Sequence, residues 1–221
     1  MEPLQREDSL EGQVQELRQT LQQCTGKPVT LIGFSWGALL SYIVTARYPE
    51  LVEKLILVGS PPLEEKDSYG IVETRLARLP EDERKLLESS WNQVRDPNCC
   101  DKETLLKDTL KLLSKADGYD IVLPDELPSF DCQIFNKVWP EVEKMRSSGE
   151  LLKLRECIRC PLVVIHGEYD PHPLESLKKA FDGFVEKYKL IPLKKCGHRP
   201  WIEHFAKDAF YNAIENELLK K

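Results

Sequence analysis

The sequence predicts an α/β fold, a three-layer sandwich on a parallel sheet of about four strands interrupted by a helical insertion. Three observations carry this. VTLIGF and KLILVGS are apolar runs without the polar alternation of a half-exposed strand, as strands buried on both faces require. A helical pattern joins them, and the same strand–helix–strand rhythm returns near the end of the chain. Between the two, residues 63–157 show helical spacing and no convincing strand.

Each element has its own signals. Asp8 or Ser9 can cap a helix whose apolar stripe is Leu10, Val14, Leu17, Leu21 and Cys24, and TGKP ends it. VTLIGF is the first strand. WGALLSYIVTARYP is a helix that stops near Pro49, and KLILVGS is the second strand, closed by Pro61 and Pro62. This βαβ unit implies parallel strands and a right-handed crossover. Within the insertion, SYGIVETRLARLPEDERKLLESSWNQV, DKETLLKDTLKLLSKA and FNKVWPEVEKMRSSGELLKL read as helices, separated by RDPNCC and LPDELPSFD. CPLVVIHG is then a strand, PLESLKKAFDGFVEKY a helix, KLIPLKK a strand and WIEHFAKDAFYNAIENELLKK the closing helix. The expected division is a first core part over 1–62, a helical cap over 63–157 and a second core part over 158–221.

Composition narrows the function classes. A net charge of −6, with Lys and Arg spread among Asp and Glu, argues against a nucleic-acid surface. Runs such as ALLSYIVTA fall far short of the roughly 20 apolar residues of a membrane span, so no membrane partner is expected. MEPLQREDSLEGQ has neither a basic nor an apolar leader region. With an odd count of seven cysteines, a cytoplasmic protein with reduced thiols is expected. Cys157 and Cys160 have metal-like spacing, but no second pair follows, so they read as plain thiols, with no metal and no cofactor. Trp91, Trp139 and Trp201 read as core or lid anchors.

Gly33-Phe34-Ser35-Trp36-Gly37 has the glycine-x-serine-x-glycine pattern of a nucleophile elbow, set between a buried strand and a helix. Asp170 follows the third strand and His198 the fourth, so a serine, an acid and a histidine stand in that order at strand ends. The chemistry needs these types. A serine hydroxyl is a weak nucleophile and needs a base, and imidazole titrates near neutral pH. A carboxylate fixes the imidazole tautomer and offsets its developing charge. The flanking glycines suit a tight turn. Other readings stay open: Asp170 as a turn residue before Pro171, His198 as a helix-entry residue beside Gly197, and Glu168 as a reserve acid. His166 reads as a satisfied core histidine, His172 as a packing or rim residue, His204 as part of the last helix, and Cys196 as unneeded.

LIGFSWGA, CPLVVIHGEYDPHP, KKCGHRPWIE and the passage VWPEVEKMRSSGELLKLRECIRCPLVVIHG together resemble the α/β-hydrolase superfamily, in particular its helical-cap branch of proline iminopeptidase-like enzymes. The resemblance implies a serine hydrolase that cleaves an ester, thioester or amide bond of a small-molecule substrate. It makes Ser35 the nucleophile of an acyl-enzyme, Asp170 the acid, His198 the base and the backbone N–H of Trp36 one oxyanion donor. The sequence departs from the family at its front. Only 34 residues precede Ser35, and the earlier strands, with the loop that carries the second donor, have no counterpart. Loss of one donor typically lowers kcat by about 10²–10³. VTLIGF then becomes a sheet edge, a pairing hazard unless covered by the N-terminal helix, the cap or a second copy in a homodimer. The rival expectations are a catalytically impaired, N-terminally shortened remnant and an interaction protein that pairs through this edge.

Overall fold

A computed structural model describes residues 6–95, 102–122 and 131–220. Cys99, Cys100 and most of RDPNCC and LPDELPSFD, with the side chains of Cys24, Trp91 and Cys132, lie outside the described residues. The first helix is α1 (Leu10–Thr25); Ser9 caps it, its hydroxyl accepting the Gly12 N–H at 3.0 Å. Asp8, the other candidate cap, pairs with Lys137 instead.

Strand β1 (Val29–Phe34) runs into α2 (Trp36–Arg47), and β2 (Val52–Val58) completes the unit. Between β2 and β3 (Leu162–Gly167) the named elements among the described residues are helices: α3 (Ile71–Ala77), α4 (Glu81–Arg95), α5 (Lys102–Asp117), α6 (Cys132–Ser147) and the short α7 (Glu150–Lys153). After β3 come α8 (Leu174–Phe181), β4 (Tyr188–Leu193) and α9 (Lys207–Leu219). The sheet has the order β1-β2-β3-β4 and every pairing is parallel.

Alternate residues of the central strands enter opposite cores, which is why their sequences show no polar alternation. Leu55, Leu57, Leu162 and Val164 join the core beneath α1, α2 and α8. Ile56, Val58, Val163 and Ile165 join the one beneath α9, with Phe210. The sheet is therefore the middle of three layers. β1 is an edge: among the described residues no strand pairs with its outer side. Ile32, in register with Ile56, is 42% exposed.

Two helices are shorter than their patterns suggest. α8 ends at Phe181, and Gly183 takes a left-handed conformation (φ 77°) that turns the chain toward β4. Trp201 lies in a 3-10 turn (Pro200–Ile202) rather than in the last helix. Glu203 then forms an isolated antiparallel bridge with Ile121 at the end of the helical segment, so α9 starts only at Lys207. His204 is consequently outside the helix; it stacks on Phe205 and contacts Asp120.

Candidate active site

β1 delivers Ser35 to the carboxyl edge of the sheet. Its N–H donates to Val58 O at 3.0 Å, and its φ of 52° with ψ of −118° is a conformation that non-glycine residues rarely adopt. The strand and α2 can approach this closely because residue 33 is glycine: a Cβ there would lie 2.3 Å from Gly37 O and 2.6 Å from Ser41 Oγ. Gly37 differs from the sequence expectation. Beyond its chain neighbours and the backbone of α2 itself, a Cβ at that position meets nothing within 4 Å among the described residues, so packing against the rest of the protein does not demand glycine there.

The turn after β3 carries Asp170 and the loop after β4 carries His198. The structure brings both to Ser35. His198 Nε2 lies 3.0 Å from Ser35 Oγ, and His198 Nδ1 lies 2.7 Å from Asp170 Oδ2. A carboxylate can only accept, so the proton of His198 is on Nδ1 and Nε2 is free to accept the serine hydroxyl. Glu168 is exposed and its N–H donates to Leu193 O, which leaves Asp170 as the acid that meets the imidazole. The Trp36 N–H opens α2, where first-turn amides have no partner within the helix.

The imidazole is boxed in. Phe34 lies against it at 4.8 Å between centroids, with Trp201 behind Phe34 at 4.6 Å. Gly59 (φ 53°) also packs close: a Cβ there would come 3.0 Å from the His198 carbonyl oxygen and 3.1–3.2 Å from its ring. The backbone completes the hold. The His198 N–H donates to Asp117 O at 2.9 Å, at the end of α5, and Asp117 itself makes a two-pronged pair with Arg75 of α3 at 2.7 and 2.8 Å. Buried Glu203 accepts the N–H groups of Gly197, Tyr119 and Asp120 at 2.8–2.9 Å.

Two histidines are closer to the site than the sequence suggested. His172 is buried, not at a rim, and its Nδ1 lies 2.7 Å from Asp170 Oδ1. His166 is in the core, but only Nε2 is bonded, to His172 O at 2.9 Å; its Nδ1 has no hydrogen-bond partner among the described residues. Burial alone would push the Asp170 carboxyl up, but His198, His172 and His166 around it hold it well below the usual carboxylate range. Burial pushes His172 down to about 4 against the pull of Asp170, and it lowers His166 too. Among the described residues, Asp170, His172 and His198 form the one cluster with ligand-like spacing, and both rings already donate to the carboxylate. Cys157 and Cys160 are not part of it.

Cys196 is fully buried, its thiol pushed up to about 12 by burial, which suits an inert core residue. Trp139 sits edge-on to Trp36 and stacked with Phe135, while Trp201 packs in the α9 core. Trp36 Nε1–H donates to the buried Gln13 at 3.0 Å, which ties α1 to the elbow. Neither Glu203 nor Gly59 stands out in the sequence; a lone acid inside the apolar run PWIEHF was the only available signal.

Residues 6–205 match the family described as alpha/beta hydrolase fold. The bifunctional biotin biosynthesis protein BioHC of Teredinibacter turnerae is 24% identical over 182 residues, covering 79% of this chain and 30% of its own. The chain thus spans less than a third of that curated relative. Proline iminopeptidase of Mycobacterium smegmatis has a similar structure (TM-score 0.59, 16% identity, 96% of this chain and 71% of the other). So does monoacylglycerol lipase of Paleococcus ferrophilus (TM-score 0.58, 14% identity, 95% and 75%). The parallel sheet, the elbow at Ser35 and the match over most of the chain lead to one conclusion: this protein belongs to the α/β-hydrolase family.

Proposed function

We propose that the protein is a serine hydrolase that cleaves an ester, thioester or amide bond of a small molecule. The observation that carries this reading is the continuous chain Ser35 Oγ to His198 Nε2, then His198 Nδ1 to Asp170 Oδ2, at 3.0 and 2.7 Å. Ser35 Oγ attacks the substrate carbonyl while His198 Nε2 takes its proton, and Asp170 stabilises the imidazolium. The Trp36 N–H donates to the oxyanion of the tetrahedral intermediate. Collapse gives the acyl group to Ser35, and His198 returns the proton to the leaving alcohol, thiol or amine. Water, deprotonated by His198, then attacks the acyl-enzyme and releases the acid and free Ser35.

The test is intact-mass detection of fluorophosphonate labelling, with Ser35→Ala alongside. Rapid addition of one label that is absent in the variant is expected. A folded protein that takes no label overturns the reading.

A second reading concerns β1, whose outer side carries exposed Ile32 and no charged side chain. An apolar edge strand of this kind is a template for pairing with a second copy. Sedimentation should then show a dimer that Ile32→Lys dissociates; a monomer at all concentrations rejects it.

A further inference from the structure

Asp170 serves two imidazoles with its two oxygens. Oδ2 accepts the Nδ1–H of His198 at 2.7 Å; Oδ1 accepts the Nδ1–H of His172 at 2.7 Å and the His172 backbone N–H at 2.9 Å. The Asp170 side chain has no solvent exposure. The last torsion of an aspartate is broad and intrinsically soft, so a carboxylate held at one oxygen alone keeps rotational freedom. Bonds at both oxygens remove it. His172 is itself fixed: its carbonyl accepts the His166 Nε2–H at 2.9 Å, and its ring lies 4.8 Å from that of His198, tilted by 41°.

We propose that His172 is a positioning residue, which anchors Oδ1 of Asp170 so that Oδ2 is presented to Nδ1 of His198. The proposal rests on the serine-hydrolase reading. It also explains why a buried, uncharged donor stands here. A cation beside Oδ1 would compete with the imidazolium forming at His198 for the same carboxylate. His172, held neutral by its burial, orients Asp170 and leaves the carboxylate charge to His198. A purely packing role needs the volume of the ring but not its Nδ1–H.

The experiment compares wild type, His172→Ala and His172→Asn by two readouts. One is the rate of fluorophosphonate labelling of Ser35; the other is the position of the downfield Nδ1 proton of His198 in 15N-edited NMR spectra. Asparagine keeps an amide N–H close to the place of Nδ1. Removing the outer partner of a histidine–carboxylate pair in metal sites costs about 10–100-fold, and a loss of that size is expected for His172→Ala. The His198 proton should move upfield, and His172→Asn should recover most of the rate and of the shift. Labelling of His172→Ala at the wild-type rate overturns the proposal. So does a loss that His172→Asn fails to recover, because that marks packing. If wild type takes no label, the serine-hydrolase reading fails, and the NMR signal still decides: a displaced His198 proton in His172→Ala supports the positioning role and an unmoved one overturns it. Should His172→Ala not fold, His172→Gln replaces it, since its longer side chain carries the amide away from Oδ1.

Discussion

Glu203 accepts the backbone N–H of Gly197 at 2.8 Å, one residue before the histidine that meets Ser35. The same carboxylate accepts the N–H groups of Tyr119 and Asp120, so one buried side chain joins the end of α5 to the histidine loop. Glu203→Gln replaces one acceptor oxygen by an amide that faces backbone donors. A buried donor left unpaired costs about 1–3 kcal/mol. Thermal unfolding should show that loss, and Ser35 labelling should slow alongside it. An unchanged Tm would refute the clamp.

The two elbow glycines should behave differently. Gly33→Ala forces a Cβ to 2.3 Å from the Gly37 carbonyl, so strand and helix must separate. Overpacking of this kind costs about 1–3 kcal/mol and here also displaces Ser35. Gly37→Ala meets no described atom beyond its chain neighbours and the α2 backbone, and sits in the first turn of α2, where alanine is the better helix former by up to about 1 kcal/mol. Parallel denaturant titrations check the contrast; equal losses in both variants would contradict it.

Arg75 and Asp117 are largely buried, with side chains 16% and 8% exposed. Arg75→Met leaves a carboxylate without its partner, a loss of about 3 kcal/mol for a buried pair. Arg75→Met combined with Asp117→Leu should be less damaging than the sum of the single changes. A double-mutant cycle in urea measures the coupling.

Acid should destabilise the protein through its buried histidines. The folded-state pKa of His172 is lowered from 6.5 to about 4, and that of His166 is lowered as well. Between those values the unfolded chain binds protons that the folded chain refuses, so stability falls as pH falls through this window. The depressed carboxyl of Asp170 acts with the same sign below pH 3.8. One unit of such linkage is about 1.4 kcal/mol, so Tm should drop by at least ~3 °C from pH 6.5 to pH 4.5. His172→Asn should flatten the slope. A pH-independent Tm over this range would count against neutral burial of these rings.

Much of the architecture is legible in the amino-acid sequence. Residues such as Leu55, Ile56, Leu57 and Val58 need partners on both sheet faces, so the apolar run of β2 reads correctly as a buried strand, whereas the equally apolar VTLIGF is a partly buried edge with Ile32 exposed. Ser35, Asp170 and His198 could be singled out because each follows a strand, and strand ends gather at one edge of a parallel sheet. His204 was misplaced because the apolar spacing of WIEHF suggests a helix, while its backbone is diverted by the bridge between Glu203 and Ile121.

Local pattern alone therefore determined the layers, the order of the strands along the chain and the three residues at their ends. Tertiary structure decided what surrounds those residues: which oxygen of Asp170 meets which ring, that Glu203 clamps the histidine loop, and that Gly59 leaves room for His198. The physical reason is range. Periodicity and capping act over one turn or one strand. The bonds to Asp170 Oδ2 and to Glu203 instead join segments 28 and 84 residues apart, and nothing in the local sequence records them until the chain has packed.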